Sequence, residues 1–125
     1  MIKSNFHTHS TYCDGADSIE EMVLTAIEKG FTDLGFSGHG YTSDDLSYCM
    51  TREKTEQYLR DINAVKLKFS DKINIYCGVE KDYISAESND KYDFVIVATV
   101  CKGLNSGVVE VFNIFRFIIA GNNQR

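Results

Sequence analysis

The order in which two hydrophobic periods alternate along this chain restricts its fold more than any other feature. Residues 2–7 read as a short strand, with Ile2, Ser4 and Phe6 facing one way and Lys3, Asn5 and His7 the other. Residues 18–29 switch to helical spacing. Ile19, Met22, Val23, Ala26 and Ile27 form the stripe, Ser18 and Glu21 make an S-x-x-E capping box, and Gly30 is placed to end the helix. Residues 32–36 are strand-like again and lead into the polar loop Ser37-Gly38-His39-Gly40. A second helix is expected over residues 51–69, its stripe made by Tyr58, Leu59, Ile62, Val65 and Phe69. Residues 73–79 read as a third strand ending in Glu80. Residues 92–100 read as a fourth, with the near-continuous apolar run of a parallel strand buried on both faces. This order predicts an α/β fold with about four parallel strands and flanking helices, in which chemistry gathers at the C-terminal strand ends. Residues 108–119 fit either a strand or a short helix, and the chain from Gly121 reads as frayed.

The chain has three histidines, His7, His9 and His39. His7 and His9 stand two apart on one strand, so both imidazoles point to the same side and can reach one metal ion. His39 follows the second predicted strand, Glu80 ends the third, and Asp14 lies in the first strand-to-helix connection. Each early strand thus delivers a metal-type ligand at one edge. The mixture of imidazole and carboxylate suits zinc, manganese or iron better than calcium or magnesium. Simpler readings stand beside this one. Asp14 before Gly15 also suits a turn, His39 between glycines also suits a loop, and Glu80 also suits an exposed strand end. Ser10 and Ser37 read as turn or supporting residues, since no G-x-S-x-G surrounds them.

At 125 residues the chain suits one domain. Its net charge of −5 disfavours a nucleic-acid partner, whereas a phosphate ester can still bind where metal ions reverse the local field. Cys13, Cys49, Cys77 and Cys101 form no C-x-x-C pair, and no leader-like segment precedes them. They are expected to be reduced, small buried residues of a cytoplasmic protein. No apolar run is long enough to span a membrane.

Taken in order, the segments His7-Thr8-His9-Ser10, Tyr12-Cys13-Asp14-Gly15, Gly35-Phe36-Ser37-Gly38-His39, Gly78-Val79-Glu80-Lys81-Asp82-Tyr83-Ile84 and Tyr92-Asp93-Phe94-Val95-Ile96 resemble the PHP (polymerase and histidinol phosphatase) family, in wording closest to its histidinol-phosphatase branch. The resemblance implies a distorted (βα)7 barrel with a metal cluster at its C-terminal mouth. It implies hydrolysis of a phosphomonoester, here histidinol phosphate in histidine biosynthesis, by metal-activated water. Carried onto this chain, His7 and His9 would bind one metal, Asp14 and His39 a second, and Glu80 would bridge two.

The departures are equally specific. Val100 stands where the family places a further histidine, and no histidine follows His39. Residues 1–101 therefore read as a truncated PHP domain and residues 102–125 as an unmatched tail. Four strands cannot close a barrel that needs roughly twice this length. Weak or absent phosphatase activity is expected, with a metal-binding remnant or an interaction module as the alternative. The open barrel edge is expected to favour self-association.

Overall fold

Both predicted helices begin where the sequence supplies a side-chain oxygen for the free backbone N–H groups of the first turn. Helix α1 spans Ile19–Glu28, and its Ser18–Glu21 capping box is complete in both directions. It ends at Gly30, whose φ of 75° falls in the left-handed region that favours glycine. Helix α2 spans Arg52–Lys68, with the Thr51 hydroxyl accepting from the Lys54 N–H and with Lys66 and Lys68 at the negative end of the helix dipole. The computed structural model describes residues 1–43, 45–82, 85–102, 109–112 and 118–119, with side chains described through Val97. Tyr83, Ile84 and the segment from Gly121 lie outside the described residues, as does the Val100 side chain.

Four strands run parallel in the order β1 (Ser4–Asn5), β2 (Asp33–His39), β3 (Asn74–Asp82) and β4 (Phe94–Lys102). Both helices cover the same face. Leu34, Phe36, Ile75 and Cys77 of the sheet pack there with Ile19, Val23 and Ala26 of α1 and with Tyr58, Ile62 and Val65 of α2. Each such aliphatic or aromatic side chain contributes roughly 1.5–3 kcal/mol when fully buried. Tyr58 also ties α2 to two strands, since its hydroxyl donates to the Gly78 carbonyl at 2.8 Å and accepts from the Gly38 N–H at 3.1 Å. On the opposite face, Phe94 lies over two glycines. A Cβ on Gly78 would fall 2.3 Å from the Phe94 ring and one on Gly35 2.9 Å from it.

Three boundaries differ from the sequence reading. The β1 ladder stops at Asn5, because the Ser37 hydroxyl, not a backbone carbonyl, accepts the Thr8 N–H and the Thr8 hydroxyl donates to the Gly35 carbonyl. Strand β2 continues through the expected loop to His39, paired residue by residue with β3 from Asp33↔Asn74 to His39↔Glu80. Serine and glycine are poor strand formers, but pairing on a buried face overrides that preference. Strand β3 runs two residues past Glu80, to Asp82.

Strand β4, expected to present an open edge, pairs at both of its ends with further residues of the chain. Strands β5 (Val109–Phe112) and β6 (Ile118–Ile119) both pair antiparallel with β4. Of the two readings open for residues 108–119, the described positions take the strand. No described helix is long and apolar enough to cross a membrane.

Candidate metal centre

The pairing of His39 with Glu80 as Cα partners sets these two side chains next to each other on the sheet face away from the helices. His7 and His9 reach the same place from the segment after β1. That segment is held against β2 by the Ser37 N–H donating to the Thr8 carbonyl at 2.9 Å. Asp14 arrives by a tight loop. The N–H groups of Cys13 and Gly15 both donate to the Ser10 carbonyl, and Gly15 lies so close to the His9 backbone that a Cβ there would sit 2.2 Å from the His9 carbonyl oxygen. Only glycine permits this turn.

All five candidate residues therefore converge. Glu80 Oε2 lies 2.9 Å from His7 Nε2, 3.0 Å from His9 Nε2 and 3.8 Å from His39 Nδ1. Asp14 lies 3.3 Å from His9 Nδ1 and 3.2 Å from His39 Nε2. Two triads result, His7–His9–Glu80 and His9–Asp14–His39, each with ligand atoms within 4.8 Å of one another. Donors about 2.0–2.1 Å from a tetrahedral zinc stand about 3.3 Å apart, so the observed spacings suit a small divalent cation.

The electrostatics agree with that fit. Burial alone would raise the Glu80 carboxyl, but hydrogen bonds from His9 and His7 pull it down to about 2. Hydrogen bonds to Cys13 and Glu80 raise His9 to about 10 against the cost of burying a cation. His39 is lowered, chiefly by burial, with the attraction of Glu80 opposing. The centre is an ionised carboxylate among imidazoles, a donor set in which a cation competes with protons.

Three neighbours adjoin these residues, of which Ser37 was expected as a turn or supporting residue and Cys13 and Tyr48 were not expected at the site. Cys13 Sγ lies 3.6 Å from His9 Nδ1, the Tyr48 ring meets His39 edge-on at 5.0 Å, and buried Ser37 fixes the Thr8 backbone between the two histidines. Nothing local in the sequence marks the first two, since both contacts depend on how loops fold back over the strand ends.

Away from the centre, a cavity of about 460 Å³ lies between the start of α2 and the segment joining β3 to β4, and none of the five residues lines it. Among its cations, Arg52 pairs with Glu87 and Lys91 with Glu56, while Lys81 Nζ donates to the Glu87 carbonyl and to Asn89 Oδ1.

A family model described as the PHP domain matches residues 5–111. The chain belongs to the PHP family. This PHP chain is 33% identical over 96 residues to the DNA polymerase/3'-5' exonuclease PolX of Bacillus subtilis, covering 77% of this chain and 16% of that protein. Among solved structures it is similar to a candidate histidinol phosphatase of Listeria monocytogenes, with a TM-score of 0.69 and 24% identity over 78% of this chain and 45% of that one. It is also similar to the histidinol phosphate phosphatase of Lactococcus lactis, crystallised with zinc, L-histidinol and phosphate, with a TM-score of 0.64 and 24% identity over 81% and 41% of the two chains. The PHP chain thus spans less than half the length of each protein, and its four parallel strands form part of a PHP barrel, as the sequence predicted. With a DNA polymerase/3'-5' exonuclease among the relatives, the acidic charge balance alone does not settle whether nucleic acid is a partner.

Proposed function

We propose that this chain carries the metal-binding half of a PHP-type phosphoesterase site. In this reading His7, His9, Asp14, His39 and Glu80 hold one or two divalent ions of zinc, manganese or iron. The observation that carries it is the meeting of five imidazole and carboxylate groups from three strand ends and one loop. When bound, the cation supplies Lewis acidity, lowers the pKa of water and offsets charge on a transferring phosphoryl group. The chain's own residues supply the rest. Glu80 stays ionised between the imidazoles, Ser37 and Gly15 fix the two segments that bear His7, His9 and Asp14, and Tyr58 locks β2 against β3.

The substrate proposed is a small phosphomonoester, histidinol phosphate of histidine biosynthesis, in keeping with the two solved neighbours. In this reading residues 1–101 are a truncated PHP domain and residues 102–125 a C-terminal tail. With Val100 at the place of a further ligand, turnover by this chain alone is weak or absent, which leaves a metal-binding remnant. The free cysteines Cys13, Cys49 and Cys77 are in keeping with a cytoplasmic setting. A second reading, hydrolysis of a nucleic-acid phosphodiester, is favoured by the 33% identity to PolX.

The test is phosphate release from histidinol phosphate, beside nucleotide release from a single-stranded DNA oligomer, with zinc, manganese or iron supplied. A His7→Ala/His9→Ala variant serves as control. Release from histidinol phosphate above that control supports the first substrate, and release from DNA alone moves the assignment to the second. No release by folded, metal-loaded protein supports the remnant. Equal release by the control means that this site does no chemistry.

A further inference from the structure

Every pairing among β1, β2, β3 and β4 is parallel, as expected where strands are joined through helices. The remaining pairings of β4 are of the other kind. Residues 109–112 run antiparallel to residues 99–102, with Thr99↔Phe112 and Lys102↔Val109 at the two ends of the ladder. Residues 118–119 run antiparallel to the start of the same strand, with Phe94↔Ile119 and Val95↔Ile118. Described residues of the C-terminal segment thus pair with both ends of β4.

An edge strand with free N–H and C=O groups is a template for another chain. Here the strand bears a near-continuous apolar run, and Phe94 and Ile96 are both buried. By register they share a sheet face with Gly78 and Glu80, opposite the helices. A half-barrel that left this edge open would pair it with the same edge of a second copy.

We propose that β5 (Val109–Phe112) and β6 (Ile118–Ile119) act as a strap that pairs with β4 and keeps the chain monomeric, the excluded partner being the β4 edge of a second copy. This inference is independent of the proposed activity.

The test compares the full chain with two variants, one ending at Lys102 and one carrying Glu110→Pro/Val111→Pro. Only one of two adjacent residues in an antiparallel strand donates its N–H toward a given neighbour, so the double change removes that donor whichever it is. Light scattering after size exclusion reads the mass, and hydrogen exchange reads the β4 amides. The full chain is expected as a monomer with protected β4 amides. Both variants are expected to form dimers or larger species while the α2–β3 core stays protected. Should the shortened chain fail to fold, the proline variant decides. Three results overturn the proposal: a full chain that already associates, variants that remain monomeric, and a proline variant that loses protection in the α2–β3 core, which would make the segment part of the core and not a strap.

Discussion

Glu80 touches all three histidines of the chain, and the charge it keeps sets two expectations. Glu80→Gln preserves shape but removes that charge, so metal affinity should fall by at least about 10–100-fold, the scale seen on losing even an outer-shell partner. Titration of the variant with zinc or manganese checks this, and unchanged affinity would remove Glu80 from the site. The second expectation concerns the metal-free protein and pH. Glu80 is lowered from 4.5 to about 2 on folding, so its contribution is present above pH 4.5 and is lost as pH falls toward 2. His9 is raised from 6.5 to about 10, so its contribution is full below pH 6.5 and is lost as pH rises toward 10. Chelator-treated protein should therefore lose denaturant resistance on going from pH 6.5 to 10. His9→Asn should lose less over that interval, and an identical slope in both would refute the coupling. Much of this site was legible residue by residue. The i, i+2 spacing of His7 and His9 fixes a common side, and His39 and Glu80 mark neighbouring strand ends. Cys13 was read as a small buried residue, and its contact with His9 comes from the loop closed by Gly15, a three-dimensional approach that no spacing announces.

Elements hold these residues in place through a few contacts that mutation can isolate. Tyr58→Phe removes the hydroxyl that bonds Gly38 and Gly78, next to the strand positions of His39 and Glu80. Leaving such buried groups unpaired should cost about 1–3 kcal/mol. Gly78→Ala drives a methyl into the Phe94 ring and should cost a similar amount, about 1–3 kcal/mol, through overpacking. Denaturant melts of both variants test these values, and wild-type midpoints would show that the contacts carry no weight. The helices were legible because a capping box and 3.6-residue stripes are local signals: α1 begins after Ser18 as its box predicted, and α2 begins next to the expected start at residue 51. The strands were less so. Ser37-Gly38-His39 has a loop's composition, yet it lies in β2 because β3 pairs with every residue of it. The β1 ladder is shorter than its alternation suggested because side chains of Thr8 and Ser37 take over the hydrogen bonding.

For the whole molecule, the sequence carried the family and the parallel half-barrel, and both are found, while the five residues it named lie near one another at one end of the sheet. The treatment of the open edge was not legible, since residues 108–119 fit strand or helix equally and only pairing with β4 decides between them. What the molecule is for rests on whether its five converging side chains hold a cation. The direct measurement is equilibrium dialysis of the purified chain against zinc and against manganese, with bound metal counted per chain, beside His7→Ala/His9→Ala protein shown by circular dichroism to be folded. At least one ion per wild-type chain, lost in the variant, is the result predicted here. No bound ion in folded wild-type protein, or equal binding by the two, would contradict it.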